Sequence, residues 1–521
     1  MKKSLKKINK SHVVVIMIML LSALLMLYLT YIKEGMHVDE YLTYGLANYE
    51  GDGTWHFSPE YGVRLSAAEV YDDYFYADRL NIKNVWLNQS YNVHPPLYYL
   101  LFHIFTLVTH HFLALKTGVL LNIIFHMINI GLIWMILKEM LSKEYEAFLG
   151  TVLYGFLPII LGSVLFVRMY VLLSTFILCL TLLFVKEWDG TDKKKFYIKL
   201  GLLSVCGTMT HYYFLIYLFF CCMIWGIRIL KKKGWKELAV FLVTMTTSGI
   251  ACLAIFFPML QHVFSGSAGT RTFDTLFSTV FFKNGKSFYK AIDHVYGGLL
   301  LAVIIIVALL LVFQYIYVDK DGNKKKNDGE RWIIVALPCI LFLLTVTKIA
   351  IYSATRYISP VYGICIILLI GLFDRIASYM TDKDRVKCIV GMVMVGFLLN
   401  NGWKTYEWPD LYLDIKDCVA EAREYGVNNE CIYVVTAAWR NFPCYQEFLQ
   451  YQNITFIQAR YLEQLYKEDY TGYDHVVVYF DQNMEQEEID EVLQKMIERN
   501  PGLDGYEELH MYSYNIAYYL D

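Results

Sequence analysis

Stretches of about 20 apolar residues, the length that crosses the hydrocarbon core of a bilayer, recur along this chain. Residues 13–32, 113–137, 147–167, 171–185 and 238–257 are among them. Only helices and closed barrels satisfy their backbone polar groups in lipid. The pattern therefore predicts a polytopic α-helical membrane protein. A mean hydropathy of +0.38 and a hydrophobic content of 56% over 521 residues agree with it.

Basic clusters orient the spans, because cytoplasmic loops carry an excess of Lys and Arg. The chain begins with Lys2, Lys3, Lys6, Lys7 and Lys10 ahead of its first apolar run. That run is too long for a secretory signal, and no small-residue cleavage site follows it. It reads as an uncleaved span with the N-terminus in the cytoplasm. Later clusters are Lys138 and Lys143, lysines 193–195, 231–233 and 324–326, then Arg375, Lys383, Arg385 and Lys387. All fall on the cytoplasmic side if 95–112, which is short and contains His103, His110 and His111, lies in the interface as an amphipathic helix. The expectation is about 11 transmembrane helices, counted from runs of spanning length. The outer side then holds 33–112, turns near Arg168 and His211, a long loop 258–294, a turn 348–359 and the tail. The apolar stretch 200–210 is short for a span, which points to a helix buried against its neighbours.

From residue 405 the character changes. Residues 431–436, 454–458 and 475–480 read as buried strands. Residues 445–451 and 486–499 read as helices, and 507–519 as strand again. The division is a transmembrane module 1–401 and a small C-terminal extracytoplasmic α/β domain 402–521. No GxGxxG is present, so no dinucleotide site is expected there. Eight of the 11 cysteines lie in apolar segments, and Cys418, Cys431 and Cys444 have no CxxC spacing, which excludes a disulfide scaffold. A net charge of -3 gives no support to nucleic-acid binding.

Polar residues at the ends of the apolar runs are the candidates for chemistry. Asp39 and Glu40 follow the first span. A carboxylate there can take a proton from an attacking hydroxyl or amine. A neighbouring acid can raise its pKa or help hold a divalent cation; a solvated acidic pair at a helix end reads the same way. His94-Pro95-Pro96-Leu97-Tyr98-Tyr99 suits a helix start, where the missing proline N–H groups cost nothing. It puts His94 at the N-cap, among N–H groups that favour an anion, and a plain helix start accounts for it at least as well. Arg168-Met169-Tyr170 interrupts two apolar runs with the only basic residue of its outer turn, which favours binding over anchoring. His211 lies between two spans and suits a structural role as well as an acid, base or ligand role. Arg356, in Arg356-Tyr357-Ile358-Ser359-Pro360, and Lys348 both sit outside between apolar spans. A guanidinium is a planar, permanently charged fork that fits phosphate and can neutralise it as a leaving group. A snorkelling arginine is the alternative, and the functional tendency of ionisable residues in membrane segments weighs against it. P-loop, HExxH and GxSxG motifs are all missing.

Taken in order, Asp39-Glu40 after span one, HPPLYYL from His94, Arg168-Met169-Tyr170 after span three and the RYxxP motif from Arg356 resemble the C-class (GT-C) membrane glycosyltransferases. Bacterial relatives of the protein O-mannosyltransferases and the lipid A aminoarabinose transferases are the nearest in look. The resemblance runs from about residue 10 to residue 400, and HPPL with RYxxP is its most specific part. It implies an inverting transfer of a hexose or pentose from a polyprenyl-phosphate-sugar donor to a protein, lipid or cell-wall glycan acceptor at the outer face of the plasma membrane. By family position Asp39 would be the base or acceptor-orienting carboxylate, with Glu40 as the second catalytic acid. Glu40 and His94 would shape the same pocket, and Arg168 would join the donor-phosphate-binding residues. Arg356 and Lys348 would bind the donor phosphate, and Tyr170, His211 and Tyr357 would line the site. Many relatives carry a further acid after span three, implicated in metal binding. Here 167–174 contains none. The expected metal residues are therefore none and the cofactor is left unassigned, with Arg168 supplying positive charge in place of a divalent metal. A transporter or flippase of lipid-linked sugars is the alternative. Against it, transporters place their sites at mid-membrane, and here the charges gather at one outer face.

Overall fold

The computed structural model describes residues 10–49, 61–75, 77, 79–109, 114–188, 193–276, 278–309, 329–426, 429–467, 476–500, 502–511 and 515–520. Lysines 2–7 and 324–326, His110 and His111 lie outside them. An apolar helix, α1 (Lys10–Tyr31), is followed by four short helices: α2 (Val38–Asn48), α3 (Ala67–Phe75), α4 (Ile82–Tyr91) and α5 (Leu97–Thr109). The bundle continues with α6 (Ala114–Met140), α7 (Glu144–Phe156), α8 (Pro158–Leu165), α9 (Tyr170–Glu187), α10 (Lys193–Thr210), α11 (Tyr213–Lys232) and α12 (Trp235–Ile255). Next come α13 (Met259–Phe264), α14 (Ser267–Leu276), α15 (Val280–Val295), α16 (Leu300–Leu309), α17 (Gly329–Ile349), α18 (Tyr362–Met380) and α19 (Asp384–Thr405).

Eight of these helices are long and apolar enough to cross a membrane, and the bent pairs α7/α8 and α15/α16 bring the number to 10. Each bend has a local cause. Leu157 is extended ahead of Pro158, which cannot continue a helix backwards, and the axes turn by 50°. Between α15 and α16, Gly297 and Gly298 take φ of 58° and 78°, the left-handed region that glycine enters without penalty, and the axes turn by 84°. Lysines at its start keep α10 out of the eight. It nonetheless runs from the lysine-rich end of α9 back to His211, whose ring lies 5.5 Å from Tyr170 at the other end of α9. With α10 included, the crossings agree with the sequence reading. Apolar side chains stay exposed along the outer faces, such as Leu24 at 62%, Val243 at 61% and Val393 at 66%. A lipid-facing surface has that character.

The tail forms α20 (Lys416–Gly426), α21 (Tyr445–Phe448) and α22 (Gln486–Arg499) around a sheet. Its strands are β1 (Arg64–Ser66), β2 (Glu430–Val435), β3 (Asn453–Gln458), β4 (Val476–Asp481), β5 (Tyr506–Met511) and β6 (Asn515–Leu520), in the order β1-β3-β2-β4-β6-β5. β2 is parallel to β3 and β4 and is buried throughout, as the continuous Val/Ile pattern requires. One face packs Ile432, Val434 and Val478 on α22. The other carries Tyr433, Phe448 and Tyr479 into a cluster shared with Tyr41 and Tyr44 of α2. Gln446 donates to the Tyr41 hydroxyl at 3.3 Å, so the sheet braces α2 from outside the bundle.

Two expectations are corrected. The stretch 258–294 is not a loop: it forms α13, α14 and α15. Apolar residues at helical spacing alternate there with Lys, Asn and Asp, and that dilution hides a helix from a hydropathy reading. The strand expected over 507–519 is a hairpin, β5 with β6. Strand β1 and helix α20 were not foreseen.

Candidate functional site: a carboxylate between two arginines

The site begins with the capping of α2. The imidazole Nδ1 of His37 accepts from the amide of Asp39 at 3.0 Å, and the His37 amide donates to Glu40 Oε2 at 2.7 Å. Glu40 is fully buried. Its Oε1 accepts from Lys33 Nζ at 2.6 Å and from the Val167 amide at 2.9 Å. Thr43 adds a bond from its hydroxyl to the Val167 carbonyl, at 3.1 Å. These bonds fix the turn between α8 and α9 against α2, with Arg168 pointing at Asp39.

Asp39 is clamped. Its Oδ2 lies 2.8 Å from Arg356 Nη2 and its Oδ1 3.6 Å from Arg168 Nη2. Arg168 is 5% exposed. It donates to the Tyr99 hydroxyl at 2.8 Å and to Thr43 Oγ1 at 3.3 Å, and it lies 3.5 Å from His94 Nε2. The His94 ring sits 5.5 Å from that of His211, Tyr170 lies 6.2 Å from Tyr357, and the Arg356 guanidinium is 5.2 Å from the Phe166 ring. Both Arg168 Nε and Arg356 Nε are buried with no acceptor among the described residues. Buried donors are nearly always paired, so these two N–H groups set the cluster apart from a fully satisfied ion-pair network.

Beyond Arg356 opens a cavity of about 520 Å³ between α8, α15, the turn 353–359 and the segment after α19. Lys290, His294, Ser287, Thr355, Ser359 and Asp410 line it with Arg356. Tyr406 walls one side and packs across Gly162, where any side chain would collide with its hydroxyl.

Burial pushes the Asp39 carboxyl up, but Arg168, Arg356 and His37 together hold it below the usual carboxylate range. It is an anion at neutral pH. Burial, reinforced by Arg168, takes His94 well below its ordinary value and His211 down to about 3. Both imidazoles are neutral and act as hydrogen-bonding groups. Burial raises Asp410 to about 7, against the pull of Lys33 and Arg356. Arg168 and Arg356 face the Asp39 carboxylate, while Lys290 lines the adjoining cavity with Arg356, Glu407 and Asp410.

Asp39, His94, Arg168, Tyr170, His211, Arg356 and Tyr357, all expected from sequence, come together here. Two expected residues are held elsewhere. Glu40 has both oxygens committed to Lys33, His37 and Val167. Lys348 donates to the Ser278 carbonyl at 2.9 Å and does not line the cavity. A metal shared by Asp39 and an acid of the turn 166–169 does not fit, because the turn presents Arg168 to Asp39. Sequence reading missed Lys290, His294 and Asp410. The spacing of Ser287, Lys290 and His294, which puts them on one helical face, was the available signal.

Fold and site together define a multi-pass membrane protein with an arginine-clamped carboxylate at one end of its bundle. No protein-family profile and no curated protein matches the sequence. Among solved structures the chain is similar to ArnT from Cupriavidus metallidurans bound to undecaprenyl phosphate. Identity is 10%, coverage is 96% of this chain and 97% of that one, and the TM-score is 0.49. It is also similar to the archaeal oligosaccharyltransferase AglB from Archaeoglobus fulgidus in complex with an inhibitory peptide and a dolichol-phosphate. There the identity is 11%, coverage is 96% and 74%, and the TM-score is 0.47. No side-chain role transfers at such identities.

Proposed function

We propose that this protein is a membrane glycosyltransferase that moves a sugar from a polyprenyl-phosphate donor to an acceptor at the outer face of the plasma membrane. The observation that carries the reading is the Asp39 carboxylate held between Arg168 and Arg356, beside a cavity lined by Arg356, Lys290, Glu407 and Asp410. Orientation follows from charge. Lys138, Lys143, Lys186, Lys232 and Lys383 lie at the bundle end remote from Asp39, which by the positive-inside rule is cytoplasmic. The N-terminus is then inside, and the cavity and the C-terminal sheet are outside.

In the proposed reaction an acceptor O–H or N–H gives its proton to Asp39 as its lone pair attacks the anomeric carbon. The bond from that carbon to the phosphate oxygen breaks, and its electron pair stays on the phosphate, which gains one negative charge. Arg356 and Lys290 compensate that charge where it develops, and a single displacement inverts the anomeric centre. Neutral His94 and His211 hold hydroxyls without adding charge, and Arg168 keeps Asp39 ionised and in place. The two bent spans beside the cavity are the one feature favouring a lipid-linked-sugar flippase, since transporters build sites from broken helices.

The deciding assay uses the full chain in proteoliposomes with radiolabelled polyprenyl-phosphate hexoses and pentoses plus cell-envelope acceptors. Label leaves the lipid with intact protein and stays with Asp39→Asn. Folded wild-type protein that carries labelled lipid across the bilayer uncleaved would establish the flippase in its place.

A further inference from the structure

A second cleft lies in the C-terminal sheet. In an open parallel sheet ligands bind outside the carboxyl ends of the strands, and the connections after two adjacent strands can leave toward opposite faces. β2 and β3 are such a pair. The connection after β2 carries Phe442, Tyr445 and Phe448 onto the face of Tyr433. The connection after β3 carries Leu462 and Leu465 onto the opposite face, with Ile432, Val434 and Ile457. Between the carboxyl ends of the two strands is a cavity of about 360 Å³. Three alanines, Ala437, Ala438 and Ala459, leave its floor open to backbone approach.

The residues that follow its lining in sequence, Trp439 after Ala438 and Tyr461 after Arg460, give its surroundings a definite chemistry. Trp439 and Tyr461 are 46% and 50% exposed. The Arg440 guanidinium lies 4.8 Å from the Trp439 ring and that of Arg460 lies 4.9 Å from the Tyr461 ring. Arg440 is committed to Asp481 at 3.2 Å. Arg460 gives its Nε–H to Gln458 at 2.7 Å and makes no ion pair among the described residues, so its Nη groups remain for a ligand. Flat amphipathic rings accept the apolar face of a pyranose. A free guanidinium fork takes a carboxylate or phosphate. The volume falls in the range of small-ligand clefts, roughly 300–1,000 Å³.

We propose that this crevice is a binding site for an anionic saccharide, a sugar unit bearing a carboxylate or a phosphate. The turn that carries Trp439 and Arg440 also carries Phe442, whose ring stacks 6.1 Å from Tyr41, two residues from Asp39. The occupant therefore rests on the segment that braces the Asp39 helix. Its identity as the transfer acceptor depends on the glycosyltransferase reading, whereas binding itself does not.

The test is calorimetric titration of the full-length protein in detergent with trigalacturonic acid, maltotriose and inorganic phosphate. Trigalacturonic acid saturates one site and quenches tryptophan fluorescence, while the other two bind at least tenfold more weakly. Arg460→Gln, and Ala437→Leu which fills the floor, each weaken binding tenfold or more at an unchanged unfolding midpoint. Asp39→Asn binds like wild type, which separates this site from the transfer chemistry. Absence of saturable binding, equal binding of maltotriose, or indifference to both cleft variants overturns the proposal. Phosphate binding as tightly as the acidic sugar reduces the crevice to a simple anion site and overturns it too.

Discussion

The two ends of the helical bundle are built from the same residue types and do different things with them. At the lysine-rich end, Lys143 pairs with Asp384 at 2.6 Å and Lys232 with Glu330 at 2.8 Å, with every partner about half exposed. At the other end, Asp39 and Arg356 pair at 2.8 Å with side chains 19% and 24% exposed, and Arg168 stands at 7%. Exposed pairs exchange one solvated state for another and contribute little. Buried ones are expensive unless fully paired, and among the described residues Arg168 Nε and Arg356 Nε have no acceptor. The first set is a solvated surface; the second holds a carboxylate between two guanidinium groups largely out of water.

Substitutions can break or sharpen this contrast. Asp39→Asn should lower transfer by about 10²–10⁴-fold, the usual worth of a positioned base, with folding retained and donor still bound, read by a label-release assay. Arg356→Lys keeps the charge but loses the fork, and should cost about tenfold or more in transfer with a raised KM for the donor. Glu40→Gln should act on stability, since an uncompensated Lys33 is left behind at a cost of about 3–5 kcal/mol. A fall in the unfolding midpoint larger than for any surface pair checks it.

Asp410→Asn sharpens the contrast through pH. Its folded-state pKa of about 7 lies above the ordinary aspartate value of 3.8, so the folded protein binds this proton more tightly than the unfolded chain. Stability then rises as pH falls through about 7 and levels off near the unfolded value. The Asn variant should flatten the midpoint's dependence over about pH 4–7. Lys143→Met, at the exposed end, should leave both midpoint and transfer unchanged within error. A large effect there would erase the distinction between the ends.

Much of this was legible before any coordinates. Apolar runs betray spans because lipid tolerates little else, and charges interrupting them stand out: Asp39, Arg168 and Arg356 were each found that way. The reading failed where burial and polarity mix. Lys290 and His294 sit on α15, an amphipathic helix that hydropathy takes for a loop. Asp410 follows the last span in a turn with no motif. Glu40 looked like the twin of Asp39, because adjacency in sequence says nothing of which carboxylate a helix cap and a distant amide will consume. Strand β1 has only three residues, too few for any pattern, and its partner lies at the far end of the chain.

That strand has a consequence for how the protein is made. Residues 64–66 emerge early in synthesis, yet they pair antiparallel with 453–455, and Arg64 reaches Glu430 at 2.9 Å. The pairing forms only when both segments are on the same side of the membrane. A chain that skips or adds one crossing delivers its tail to the wrong compartment and leaves the edge of β3 bare, a strand edge open to stray partners. The seam thus works as a parity check on membrane insertion: it closes only behind an even number of crossings between its two halves.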